Sequence, residues 1–377
     1  MNKRLFIIIL VIIAAFLAGW IYYVSSQAKE AASIERISVD WWGSGHADKT
    51  AEAFIHWNED DPAEIPTNCA KCHSGPSFID FIGQDGSAEF SVDQPGQINR
   101  VITCEVCHNE KAHALELVKF PSGEELNLGM GNATCGTCHS GTTAGSRVTT
   151  VAAEISDDEV VPEASFITPH YYYAATTLYG SEAKGGYEYA DASYIGKFFH
   201  AEPVQTCIQC HDPHSLRINR DFKGENVNLC ATCHSNVTEY TDYKEIFVDS
   251  VDYDADGIVE GMYHEIQGVQ AVLYEALQVY AAEVIGTPIL WADQFPYLFI
   301  DTNGNGDVDE GEAEFPNRYT EFTPRLLRAG FNYQFSVEDP GAYIHNGKYV
   351  LQLMYDSIAD LASVTDFSFD GLVRPVE

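Results

Sequence analysis

The chain has 377 residues, with 21 basic and 56 acidic side chains and a formal net charge of −35. This charge argues against nucleic acid or an anionic membrane surface as a partner, and it is also what a well-solvated exported protein would show. The length is enough for two domains, or for one domain with an anchor.

The N-terminus carries a nearly unbroken apolar run from Leu5 to Val24 behind two basic residues. A run of about 20 apolar residues can span a bilayer with its basic flank in the cytoplasm, which predicts a membrane anchor. A cleaved signal peptide is the alternative, since Ser26 and Ala28 are small residues of the kind found at cleavage sites. Both alternatives predict export, with residues 1–28 as anchor or signal and residues 25–40 as a polar linker.

The pattern Cys-x-x-Cys-His occurs five times and uses all 10 cysteines. It is the attachment signature of haem c, in which two thiols bond to the haem and the adjacent histidine binds the iron as proximal ligand. Zinc sites also use paired Cys-x-x-Cys, but zinc gives no reason for a histidine after every pair. The sequence therefore predicts five covalent haems, attached at Cys69, Cys72, Cys104, Cys107, Cys135, Cys138, Cys207, Cys210, Cys230 and Cys233, with His73, His108, His139, His211 and His234 as proximal ligands.

Eight histidines lie outside the five motifs, and a second imidazole on the far face of a haem would close the sixth position of its iron. Five such distal ligands are needed, so the chain has enough histidines to ligate every iron twice. Only 4 methionines are present, so His/Met ligation is at most a minority. The distal candidates are His46, His113, His170, His200, His214 and His345, while His56 and His264 are expected to be packed or surface histidines.

Regular sheet is predicted to be sparse between the motifs. Short strands are predicted over residues 100–105, 114–120 and 148–155, which contain β-branched and apolar residues. Apolar residues recur at helical spacing from Ile266 to Val284 and from Val350 to Leu361, which predicts two buried helical faces near the C-terminus. We expect a mostly α fold with extensive irregular loops, in which the haem stack replaces much of the core.

Two loops in the C-terminal third predict calcium. Residues 301–312 match the twelve-residue EF-hand loop, in which side-chain oxygens, one backbone carbonyl and a bidentate glutamate bind the ion. The second loop starts at Asp252 but has Tyr263 where this glutamate should stand, and Glu265 could replace it only if the loop geometry changes. The stronger site comprises Asp301, Asn303, Asn305, Asp307, Asp309 and Glu312, and the weaker one Asp252, Asp254, Asp256 and Glu260.

The stretch from His200 to His234, with Cys-x-x-Cys-His-Asp-Pro-His followed by a second Cys-x-x-Cys-His, resembles the cytochromes with a doubled motif. Residues 40–377 are more loosely similar to secreted multihaem cytochromes, at 44–48, 103–113, 168–189 and 339–346. The segment before His345 is similar to one that delivers a distal histidine in multihaem nitrite-reductase-like proteins. These resemblances imply covalent haems, mostly with two histidine ligands, and electron transfer with redox proteins or extracellular acceptors as partners.

Three functions remain open from the sequence. An electron carrier needs only six-coordinate haems, whereas a reductase or oxidase of small nitrogen or sulfur compounds needs one iron with an open position. No Cys-x-x-Cys-Lys variant marks such a haem, and Tyr171 and Arg147 are only guesses for pocket residues. The third alternative is a subunit of a polymeric extracellular cytochrome wire, which would require self-association. We expect residues 29–235 to form the haem domain and residues 236–377 a helical region packed on it.

Overall fold

A computed structural model describes residues 3–201, 204–218, 230–238 and 240–376. Short helices separated by long irregular loops make up most of the described chain, and strands are few, which confirms the mostly α fold class. The helices are α1 Lys3–Trp42, α2 Glu52–Ile55, α3 Thr67–His73, α4 Gly75–Phe81, α5 Cys104–Cys107, α6 Glu110–Ala114, α7 Asn132–Cys138, α8 Ser146–Val151, α9 Ala174–Tyr179, α10 Cys207–Cys210, α11 Met262–Tyr280, α12 Pro324–Glu338, α13 Ala342–His345 and α14 Gly347–Ala362.

The first helix is longer than the sequence predicts. Residues 25–40 continue α1 and do not form a linker, because they contain neither glycine nor proline and are rich in good helix formers. In the part of the chain that the structure describes, no helix is long and apolar enough to cross a membrane. This finding does not support the anchor predicted over residues 5–24, in which the side chains of residues 5–11 lie outside the described residues.

Among the residues that the structure describes, the strands form three antiparallel pairs. Strands β1 Glu64–Ile65 and β2 Gly96–Gln97 pair first, β3 Leu117–Lys119 and β4 Glu125–Asn127 second, and β5 Ile289–Trp291 and β6 Leu298–Ile300 third. In the second pair Val118 lies opposite Leu126. The strand predicted over residues 114–120 is thus confirmed in its central part.

The other two predicted strands are wrong. Residues 104–107, at the end of the first predicted strand, form α5, since a haem-attachment motif takes up a helical turn. Residues 146–151 form α8, which packs against α12 and buries Val148 completely. Packing on a neighbouring helix therefore outweighs the strand propensity of the β-branched residues there.

The chain divides into two compact units. Unit 1 comprises Met1–Glu110 and Thr206–Leu229, and unit 2 comprises Lys111–Gln205 and Cys230–Glu377. These units are defined by packing and not by the presence of haem. The predicted division at residue 235, between a haem-bearing and a haem-free region, therefore stays a prediction.

Unit 2 contains a side-chain core built from three helices. Helix α11 packs on α12 and α14, and α12 packs on α14. The apolar stripe of α11 places Leu273 and Leu277 in the interior, and α14 contributes Val350, Met354 and Ile358, each 1% exposed or less. Both helical faces predicted from apolar spacing are therefore confirmed, and this region has a core of packed side chains.

Candidate haem-binding site

Four of the five motifs are each closed by one helical hydrogen bond. The backbone N–H of the motif histidine donates to the carbonyl of the first motif cysteine, four residues earlier. The N···O distances are 2.9 Å for His108, 3.0 Å for His139, 2.8 Å for His211 and 2.7 Å for His234. Cys69, Cys72 and His73 share one turn of α3. This bond explains the spacing, because one turn brings both sulfurs and the imidazole to the same place.

The motif cysteines lie where a haem can reach them. Cys104, Cys107 and Cys233 are exposed and the other seven are partly exposed, so none lies in the apolar interior. A buried structural cysteine would be expected among apolar side chains. The exposure of all ten therefore fits covalent attachment of a group outside the side-chain core.

Two of the predicted proximal histidines are oriented by backbone carbonyls. Nδ1 of His73 donates to the carbonyl of Ala53 at 2.7 Å, and Nδ1 of His139 donates to the carbonyl of Tyr172 at 2.9 Å. Such bonds fix the tautomer of metal-binding histidines and leave Nε2 for the metal. Burial lowers the pKa of His73 in spite of this hydrogen bond, which favours the neutral imidazole that binds a metal.

The aromatic segment after Thr168 is built around the third motif. Besides the bond from His139 to Tyr172, the N–H of Ala175 donates to the carbonyl of His139 at 2.9 Å. His170 in the same segment has a φ of 81°, in the left-handed region that is uncommon for residues other than glycine. Strained residues cluster at functional sites, so this angle keeps His170 a candidate ligand.

Two pairs of histidine rings lie at matching distances, one within each unit. In unit 1 the ring centroids of His108 and His214 are 6.2 Å apart with planes 12° from parallel. In unit 2 the ring centroids of His200 and His234 are 6.3 Å apart, with planes tilted by 57°. Each pair joins a proximal histidine to a histidine that the sequence proposes as a distal ligand.

These distances fit two imidazoles bound to one iron. A metal–imidazole bond is about 2.0–2.1 Å long, so two imidazoles on opposite sides of a metal have centroids about 6.3 Å apart. Both observed distances match this value. The two histidine pairs therefore fit haem iron. In each pair one histidine belongs to a motif and the other lies outside the motifs.

A turn after the fourth motif positions His214. Asp212 is 4% exposed, and its Oδ1 accepts from the backbone N–H groups of His214 at 3.0 Å and Ser215 at 2.6 Å. The N–H of Leu216 closes the turn on the carbonyl of Asp212 at 2.8 Å. This role of Asp212 was not predicted from the sequence, although an aspartate directly before a proline is a signal for a turn.

His345 is held by a buried carboxylate. Its Nδ1 donates to Asp339 at 2.8 Å, and Asp339 is 3% exposed. Burial opposes protonation, but the charge and hydrogen bond of Asp339 raise the pKa of His345 above its usual value. A Cβ added to Gly341 would lie 2.6 Å from Cε1 of the imidazole, so glycine is needed beneath the ring. A carboxylate on Nδ1 is a common partner of metal-binding histidines, and sequence analysis did not identify Asp339.

The remaining histidines outside the motifs differ in their surroundings. The carbonyl of His46 accepts from the N–H of Ile102 at 3.1 Å, which places His46 beside the segment that leads into the second motif. His113 is exposed at the surface. His56 and His264 contact the carboxylates of Glu52 at 2.8 Å and Glu245 at 2.9 Å.

The loop at 301–312 is organised by its own side chains. Asp301, 5% exposed, accepts from Gly304 N–H at 2.7 Å and Gly306 N–H at 2.8 Å. Glu312, 4% exposed, accepts from the N–H groups of Thr302 at 2.8 Å and Asp309 at 3.1 Å. The side chains of Asp301 and Glu312, the first and last residues of the loop, thus point into the loop. Gln278 of α11 donates to the carbonyl of Gly306 at 3.1 Å and joins the loop to the core.

The loop that begins at Asp252 repeats this scheme with Glu265 in the closing position. Glu265, 1% exposed, accepts from the N–H groups of Tyr253 at 2.7 Å and Glu260 at 3.1 Å, at the loop positions that Glu312 bonds in the other loop. Gly257 N–H donates to Asp252 at 2.9 Å, as Gly306 does to Asp301. The geometry change that sequence analysis required is therefore present, because Glu265 lies in the first turn of α11 and reaches back over the loop.

Three carboxylates of this second loop converge. Oxygen atoms of Asp252, Asp254 and Asp256 lie within 4.8 Å of one another. Oδ1 of Asp252 is buried without a hydrogen-bond partner. Burial, with repulsion from Asp256 and Glu265, raises the pKa of Asp254 to about 6. A bound cation would relieve this repulsion, and hard oxygen ligands suit calcium.

Comparison with known proteins agrees with the motif analysis. Residues 200–239 match the family model described as the doubled CXXCH motif, although residues 202, 203, 219–229 and 239 lie outside the described structure. The chain is 26% identical to the C-type polyheme cytochrome OmcC of Geobacter sulfurreducens over 88% of this chain and 46% of that protein. It is 27% identical to the C-type polyheme cytochrome OmcB of the same species, over 87% of this chain and 47% of that protein.

The chain therefore spans about half the length of the curated relatives it matches. No solved structure gives a significant match. The doubled motif and the polyheme relatives support the prediction of several haems attached through Cys-x-x-Cys-His.

Proposed function

We propose that this multihaem c-type cytochrome transfers electrons outside the cytoplasm through five haems c, most of them bound by two histidines. The observation that carries the proposal is the spacing of 6.2 Å and 6.3 Å in the two histidine pairs. Haem c supplies a one-electron couple when bound, and iron with two histidine ligands has no open position for a substrate. An electron carrier is therefore favoured over a reductase, with the haems stacked along residues 29–235.

The charge of the chain favours particular partners. A formal charge of −35 attracts basic redox proteins and cationic acceptors such as metal ions or mineral surfaces. The names of the relatives as C-type polyheme cytochromes support electron transfer between several haems. Self-association into a longer conductor is compatible with this role.

Iron analysis combined with EPR of the oxidised protein tests the proposal. We expect five irons per chain, all low-spin ferric, with no high-spin signal. One high-spin haem that responds to nitrite or hydroxylamine would mean an open iron and an enzyme. Fewer than five irons in fully matured protein would contradict the haem count.

We also propose that calcium binds the 301–312 loop and the 252–265 loop as a structural ion, with Glu265 closing the second. The shared hydrogen-bond scheme and the buried glutamates Glu312 and Glu265 support this. Helix α11 starts at the second loop and contacts the first through Gln278. Calcium would therefore brace both ends of a core helix in the helical region at 236–377.

A further inference from the structure

His214 lies near two haem motifs, one that ends at His211 and one that ends at His108. His214 follows the proximal ligand His211 by three residues in the sequence, yet its ring lies 6.2 Å from that of His108, the proximal ligand of another motif. Both histidines belong to unit 1. The question is which iron His214 binds.

The chain is too short for His214 to bind the haem of its own motif from the far side. Two histidines on opposite faces of one haem have Cα atoms about 12 Å apart, given metal–imidazole bonds of about 2.0 Å. Three residues span at most about 11 Å when fully extended. The segment from His211 to His214 is not extended, because the N–H of Leu216 bonds to the carbonyl of Asp212 in the turn.

We infer that His214 is the second axial ligand of the haem attached at Cys104 and Cys107. The ring centroids of His108 and His214 are 6.2 Å apart, which matches two imidazoles on one iron. The buried carboxylate of Asp212 accepts the backbone N–H of His214 and so holds His214 beside His108. This inference rests on the proposed attachment of haem at the motifs.

The assignment sets the order of the haems. His211 binds the haem at Cys207 and Cys210, so one short turn carries ligands to two different irons. These two haems are therefore neighbours in space, although the third motif separates them in the sequence. Electrons can pass between the second and fourth haems without crossing the third.

A cycle of methionine substitutions tests the assignment while both thioether bonds of every haem remain. Counted by EPR against a wild type in which all five haems have two histidine ligands, His108→Met and His214→Met should each leave four such haems. The double variant H108M/H214M should also leave four, because both changes fall on one iron. The matched control pair, H211M/H214M, should leave three. A variant haem with methionine should show a higher reduction potential.

The outcomes separate this inference from the proposed function. Three unaltered haems in H108M/H214M, or five in H214M, would overturn the assignment of His214. A wild-type protein without five low-spin haems would contradict the proposed function instead. Iron analysis detects a haem that is lost from a variant, and a lost haem is counted as altered. Loss of a haem therefore does not change the expected number of unaltered haems. The substitution His56→Ala, at an exposed histidine bonded to Glu52, should leave all five haems unchanged.

Discussion

Calcium should raise the free energy of unfolding of unit 2. Calcium modules outside cells bind with dissociation constants of about 10⁻⁴–10⁻³ M. At about 10 mM free calcium, each occupied loop should therefore add about 1.4–2.7 kcal/mol. For a unit of this size, 1 kcal/mol shifts the melting temperature by about 2–4 °C, so one site should raise it by about 3–11 °C.

The structure decides which substitution isolates this effect. An alanine at position 301 would also destabilise the calcium-free protein, because Asp301 accepts hydrogen bonds from Asn303, Gly304 and Gly306. Asp301→Asn keeps one acceptor oxygen and loses the charge. We expect it to lose the calcium-dependent rise of its own loop and, in a chelator, to be less stable than wild type by about 1–3 kcal/mol, because one backbone N–H loses its acceptor.

The assay is thermal unfolding followed by far-UV circular dichroism in chelator, calcium or magnesium. Asp256→Asn should remove the contribution of the other loop, and Asp370→Asn, at an exposed aspartate bonded to Ser368, should leave the full rise. Equal melting of wild type with and without calcium would refute the calcium sites. A full calcium response in the Asp301→Asn variant would refute the site at 301–312 alone.

Three other perturbations test the packing and the ligand environment. Leu273 is 0% exposed in α11, so Leu273→Ala should lower the free energy of unfolding by about 2–5 kcal/mol in chemical denaturation. Burial raises the pKa of Glu338 from 4.5 to about 7 although Gln334 donates to it. Folding therefore favours its protonated form, and stability should fall as the pH rises between these values. Glu338→Gln should flatten this dependence and be the more stable protein at high pH; equal pH profiles would contradict the assignment. Asp339→Asn should raise the reduction potential of one haem in a potentiometric titration, because Asp339 makes the imidazole of His345 more basic; five unchanged potentials would show that His345 binds no iron.

The haem-attachment chemistry could be predicted from the sequence because it is local. Both cysteines and the proximal histidine of a motif lie within one helical turn, closed by bonds such as His108 N–H to Cys104 carbonyl at 2.9 Å. The long core helices could also be predicted, since burial of one face leaves an apolar stripe at helical spacing. The same holds for the loop at 301–312, whose residues are contiguous.

Other features depended on residues that are distant in the sequence. The approach of His214 to His108 depends on how unit 1 folds, and no periodicity in the sequence records it. Segment 146–151 is helical because it packs on α12, against its own strand propensity. Glu265 closes its loop because the first turn of α11 carries it back over Asp252. The sequence by itself thus predicted which groups attach haem covalently, whereas the tertiary structure decided which other histidines lie beside the motif histidines, because those contacts join segments whose approach is set by packing.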